Sequence, residues 1–153
     1  LKKRDAYFGG ITLCPNEFFA KDQISNNLKY ISGALQIFRS SKYHTPEIEI
    51  RHFEDYQNCI EYYLRDGIIC RWCGVIPKTI NYNPIGGICE TYGGLQERLK
   101  DAEIVSKYLV DKYGEKIVKK VFKKKSARGP ACCNLRLNHR FKISKNKISL
   151  NFD

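Results

Sequence analysis

Hydrophobic and polar positions change their period several times along this chain, and each period predicts an element. Ala6 to Cys14 reads as a first strand broken by Gly9-Gly10. From a cap at Asn16, the residues Phe18, Phe19, Ile24, Leu28, Ile31 and Leu35 recur at intervals near three and four, with Lys21, Asp22 and Lys29 on the other side. That spacing predicts an amphipathic helix. Glu47 to Arg51 alternates with period two, as a half-buried strand does. Ile60 to Leu64 and Ile68 to Val75 read as two further strands that turn at Asp66-Gly67.

The second half begins with a breaker-rich loop from Pro77 to Gly94. Leu95 to Lys112 then places Leu95, Leu99, Ala102 and Leu109 on one helical face, which Tyr113 extends, and Gly114 interrupts it. Glu115 to Lys125 is expected to be a further helix, with Ile117, Val118, Val121 and Phe122 inward and its lysines outward. In the tail, Leu135, Leu137, His139, Phe141 and Ile143 alternate with polar residues, Lys145-Asn146 turns, and Ile148, Leu150 and Phe152 alternate back. The expected fold class is α+β: an antiparallel sheet packed against an N-terminal helix, with an additional C-terminal helical segment and a terminal β-hairpin. One domain is expected over residues 5–153.

Composition supports a folded chain. Of 153 residues 42% are hydrophobic and 12% aromatic, enough for a core that does not depend on disulfides or metals. No apolar stretch approaches the length of a membrane helix, so no membrane partner is expected, and a monomer is.

Charge changes the picture more. Between Glu115 and Lys147 there are twelve Lys/Arg and one acid, which accounts for the whole net charge of +11; the remainder is balanced at fifteen of each sign. Segregated charge suggests a surface that meets a polyanion, above all RNA. The candidate nucleic-acid contacts are Lys116, Lys119, Lys120, Lys123, Arg136, Arg140 and Lys142. A solvated lysine-rich face, or a sheet edge guarded by lysine, has the same composition.

The start of the chain carries a processing signal. There is no methionine, and Lys3-Arg4 is the dibasic pair after which secretory-pathway proteases cut. Residues 1–4 are therefore expected to be a processed or disordered basic terminus, with Asp5 as the final first residue.

Seven cysteines, Cys14, Cys59, Cys70, Cys73, Cys89, Cys132 and Cys133, are all disulfide candidates if the compartment oxidises. Adjacent Cys132 and Cys133 would take different partners, because disulfide geometry needs a different Cα separation from the one a single peptide gives. No metal is expected on that reading. The alternatives are reduced structural cysteines and a zinc site, since Cys70-Arg71-Trp72-Cys73 is a CxxC knuckle, with Cys89 and Cys133 completing four ligands.

Catalysis has one candidate pair. A ribonuclease of the acid/base type needs a group to take the 2′-OH proton, a second to protonate the leaving oxygen and a cation for the phosphorane. His52 and Glu61 meet that need if they lie on neighbouring strands.

Cys14-Pro15 leading into a helix, followed by Tyr43-His44 before an alternating strand, in a small basic chain with a dibasic pair, resembles the ribonuclease-like effectors secreted by powdery mildew fungi. The likeness covers roughly residues 5 to 76. It implies one helix on an antiparallel sheet, usually without ribonuclease catalysis, and action inside host cells, where immune receptors detect such proteins. Thr12-Leu13-Cys14 departs from the family's aromatic-x-Cys signature, and Leu95 to Lys125 is extra to a minimal fold of this kind.

The expected function is thus a secreted, non-catalytic effector that binds host RNA or a host protein, such as an immune receptor, through a C-terminal basic surface. The alternatives are an intracellular zinc-containing RNA- or DNA-binding module of a ribonucleoprotein, and an active ribonuclease.

Overall fold

The computed structural model describes residues 1–12, 20–40, 46–75, 93–125 and 130–143. They gather into two compact units, one of Leu1–Glu49, Glu54–Pro77 and Leu137–Asp153, the other of Ile50–Phe53 and Lys78–Arg136.

The first unit is a small sheet with one helix. Its strands are β1 (Phe8–Ile11), β2 (Ile24–Ser25), β3 (Gln36–Phe38) and β4 (Cys70–Trp72), in the order β2-β4-β1-β3. β1 runs antiparallel to β3 but parallel to β4, so the sheet is mixed and not the antiparallel one expected. Helix α1 (Glu54–Asp66) leads from β3 to β4 and is part of the long connection between β1 and β4 that a parallel pairing requires. Lys2–Arg4, expected to be processed or disordered, form a 3-10 turn ahead of β1.

Aromatic rings join helix to sheet. Phe8 of β1 lies 5.0 Å from Tyr62 of α1 and 5.1 Å from Phe38 of β3, centroid to centroid. Phe8, Leu28, Ile31, Ile60 and Ile69 are fully buried, each contributing roughly 1.5–3 kcal/mol. Gly10 is required where β1 passes its neighbours, since a Cβ there would lie 2.3 Å from the Leu35 carbonyl oxygen.

Three expected elements of this unit differ. Residues 20–35 hold β2 and turns in place of a helix: Leu28 and Ile31 are buried, yet Ile24 and Leu35, from the same stripe, are exposed. Ser25, Asn26 and Asn27 sit in the middle of that stripe, and such side chains compete with helical backbone hydrogen bonds. Asn16, Phe18 and Phe19, the expected helix start, lie outside the described residues. The N-terminal helix is thus replaced by α1, which contains the expected strand Ile60 to Leu64.

The period explains that exchange. Over five residues the run is ambiguous, but Tyr56, Cys59, Ile60 and Tyr63 recur at helical spacing across the whole of α1. Glu54 and Asp55 in the first turn and Arg65 in the last suit the helix dipole. The turn expected at Asp66-Gly67 is this helix's end, where Gly67 takes φ 73° and its N–H donates to the Tyr63 carbonyl at 2.8 Å. Glu47 to Arg51 forms no strand; the Glu49 N–H instead donates to the buried Gln57 side chain at 3.3 Å.

The second unit has helix α2 (Leu95–Tyr113), as expected, with Ala102, Val105, Ser106 and Leu109 buried along one face. Gly114 ends it, donating to the Val110 carbonyl at 2.8 Å. The chain then enters β5 (Val118–Lys123), which pairs with β6 (Cys132–Leu137) as a hairpin packed on α2. The helix expected over Glu115 to Lys125 is therefore a strand, favoured by β-branched Val118 and Val121 and aromatic Phe122. The hairpin expected from Leu135 to Phe152 starts earlier and uses β5 as partner to β6. His139, expected on its apolar face, is exposed in the turn after β6, and residues 144–153 lie outside the described residues.

Candidate nucleic-acid interface

The two faces of the β5–β6 ribbon differ in chemistry because strand side chains alternate. Val118, Lys120 and Phe122 point to one face. The Lys120 ammonium lies 3.1 Å from the Glu103 carboxylate of α2 and also bonds to Cys133, which marks this face as the helix side. The Glu103 hydrogen bond holds the Lys120 ammonium above its ordinary range. Val118 and Leu135 are buried here.

The opposite face carries Lys119, Val121 and Lys123 from β5, with Asn134 and Arg136 from β6. Lys119, Lys123 and Arg136 are exposed, and among the described residues none of the three is in a salt bridge. Lys116 is exposed in the turn before β5, and Lys124 and Lys125 are exposed after it.

Charge segregates by element within this unit. α2 carries four acids and four bases, whereas Glu115 to Arg136 carries eight Lys/Arg against Glu115 alone. The excess positive charge therefore belongs to the ribbon and the turn that leads into it. No family model, curated protein or solved structure matches the chain. The chemistry of this surface is what a functional reading rests on.

The two other expected contacts belong to the first unit. Arg140 is exposed in the turn after β6, and the Lys142 ammonium donates to the Asn27 side-chain oxygen at 2.7 Å. Beside them, the Tyr63 hydroxyl donates to the Phe141 carbonyl at 3.1 Å, fastening this segment to α1.

The expected acid/base pair does not rest on neighbouring strands. Glu61 is a residue of helix α1, and His52 lies in the bend Arg51–Phe53 of the second unit. The His52 Nδ1 atom is 3.3 Å from the Asp101 carboxylate of α2, with the imidazole nearly buried.

The cysteines were further candidates. Cys59, Cys70, Cys73, Cys132 and Cys133 carry free thiols. Cys14 and Cys89 lie outside the described residues. For the zinc alternative, Cys70 and Cys73 are buried in the first unit and Cys133 is on β6 in the second. Among the described residues, no three His, Cys, Asp or Glu side chains gather as a metal site.

One polar cluster was not expected. The Tyr30 hydroxyl donates a short hydrogen bond to the Asp55 carboxylate at the start of α1, and the Tyr56 ring packs 4.5 Å from that of Tyr30. Burial pushes the Asp55 carboxyl up to about 6, Tyr30's hydrogen bond opposing and the Glu54 charge adding. Burial raises Tyr30, Tyr56 and Cys59 as well, so all three stay protonated at neutral pH. The Ile31 N–H meets the Cys59 sulfur at 3.2 Å. Asp55 and Cys59 are four residues apart, so a helical reading of residues 54–66 would have put them on one face. The Tyr30 contact closes a loop of 25 residues and has no local signature.

Proposed function

We propose that this chain is a non-catalytic RNA-binding protein, a secreted effector of the ribonuclease-like type, whose β5–β6 ribbon takes the phosphate backbone of host RNA. The observation that carries the reading is the open ribbon face, where exposed Lys119, Lys123 and Arg136 have no acidic partner among the described residues. Lysine and arginine bind phosphate by charge and donated hydrogen bonds, which positions a nucleic acid without reading its sequence. The effector setting comes from the resemblance over residues 5 to 76 and supplies the host cell as the place of binding.

Support for a non-catalytic role comes from His52. A general acid or base must reach the phosphodiester it acts on. Here the imidazole is largely withdrawn from solvent, with its Nδ1 beside the Asp101 carboxylate.

Fluorescence anisotropy of a labelled single-stranded RNA with the intact chain tests the proposal. Affinity is expected to fall linearly with salt on logarithmic axes, by about 0.7 in slope for each phosphate neutralised. Binding indifferent to salt would sink it. In the same samples the RNA should remain uncut; cleavage abolished by His52→Ala or Glu61→Ala would reinstate an acid/base enzyme.

A further inference from the structure

The ribbon carries an aromatic ring where a solubility surface would carry none. Phe122 is 70% exposed, more than any other large hydrophobic side chain among the described residues. Strand geometry explains why it is uncovered. Val118, at the other end of β5, is fully buried on the helix side, and Lys120, two residues on, is exposed and reaches Glu103. Phe122 follows on the same face, and Lys123, Lys124 and Lys125 continue the exposed run.

An exposed ring followed at once by three exposed lysines suits a ligand that is both planar and anionic. Covering the ring removes apolar surface from water, a gain that leaving it exposed forgoes. A nucleotide meets both demands, with its base on the ring and its phosphates on the ammonium groups. A duplex cannot do so, because its bases are already stacked on one another and the deep A-form major groove is closed to side chains.

We infer that the far end of the β5–β6 ribbon is a single-strand site, in which an unpaired base stacks on Phe122 on the helix side, the adjoining phosphates lie on Lys123, Lys124 and Lys125 at the strand's end, and the nucleic acid continues round that end onto the open face at Lys119 and Arg136. Lys119 and Lys123 are four residues apart, roughly 13 Å along an extended strand, so the open face follows several nucleotides and not one. This inference rests on the ribbon's being the RNA-binding surface, and it adds strandedness to it. Stacking tolerates any base, so binding should discriminate single strands from duplexes far more than one sequence from another.

The test compares Phe122→Ala with the triple variant Lys119→Glu, Lys123→Glu, Arg136→Glu on a labelled uridine oligomer and on an RNA duplex of the same length. Because Phe122 is exposed, the alanine variant should fold as the wild type does. It is expected to weaken single-strand binding roughly tenfold, with the salt slope and duplex binding unchanged. If Phe122→Ala binds the oligomer as well as wild type while the triple variant flattens the salt slope, stacking is overturned and the basic surface stands. An unchanged slope in the triple variant overturns the surface itself. Phe122-dependent binding to phosphatidylcholine–phosphatidylserine vesicles, with none to the oligomer, would assign the ring to a lipid surface and overturn the inference.

Discussion

Lys120 and Glu103 form a 3.1 Å ion pair that ties β5 to α2. The pair divides the lysines of β5 by task. Lys120 shares the helix side with buried Val118, while Lys119 and Lys123 point away.

The division is measurable. Lys120→Ala is expected to change the salt slope of RNA binding less than Lys119→Ala, which removes a phosphate contact worth about 0.7 in slope. Equal losses from the two variants would mean that the RNA does not distinguish the faces of the ribbon.

Asp55 makes stability depend on pH. Its folded-state pKa of about 6 is raised above the ordinary 3.8, so between those values the native state binds more protons than the unfolded one. Stability from this group is therefore full below about pH 4 and declines as pH rises to about 6, by roughly 3 kcal/mol. Urea denaturation across that range should show the decline, and Asp55→Asn should flatten it while still accepting the Tyr30 hydrogen bond. A wild-type stability that rises over the same window, with Asp55→Asn unchanged, would remove the carboxyl from this role.

Thiol reactivity should follow burial. Cys132 and Cys133 on β6 are half-buried, whereas Cys59 is fully buried and burial pushes its thiol up. Iodoacetamide on the native chain is expected to label Cys132 and Cys133 first and Cys59 last, read by peptide mass spectrometry. Early labelling at Cys59, or a mass deficit of two hydrogens joining any of the five described cysteines, would contradict this arrangement.

Legibility of the fold depended on the length of each pattern. α2 was readable because Ala102 and Leu109 lie within nineteen residues of sustained helical spacing. α1 was not, since Ile60 to Leu64 alone suits either period, and the deciding residues, Tyr56 and Cys59, lie before it. For β5 the difficulty was the reverse: Val118, Val121 and Phe122 suit a helix by spacing but a strand by side-chain type, and Phe122 is exposed rather than inward. The mixed sheet order was beyond reach, because the parallel pairing of Gly9 with Cys70 depends on a partner 61 positions away.

The candidate site was more legible than the element that bears it. Charge is additive along the sequence, so the basic run from Lys116 to Arg136 was visible whether its residues form a helix or a ribbon. Which lysines share a face was not visible, since a helix groups Lys116, Lys119, Lys120 and Lys123 but a strand separates Lys120 from Lys119. Tyr30 and Asp55 lacked any such local sign.

The most direct test of the central claim is the salt dependence of single-stranded RNA binding by the intact wild type and by the Lys119→Glu, Lys123→Glu, Arg136→Glu variant. If the open ribbon face holds the phosphates, the variant's logarithmic slope should be shallower by about 2, three contacts at about 0.7 each, with weaker binding at every salt concentration. A variant whose slope and affinity match the wild type would contradict the account.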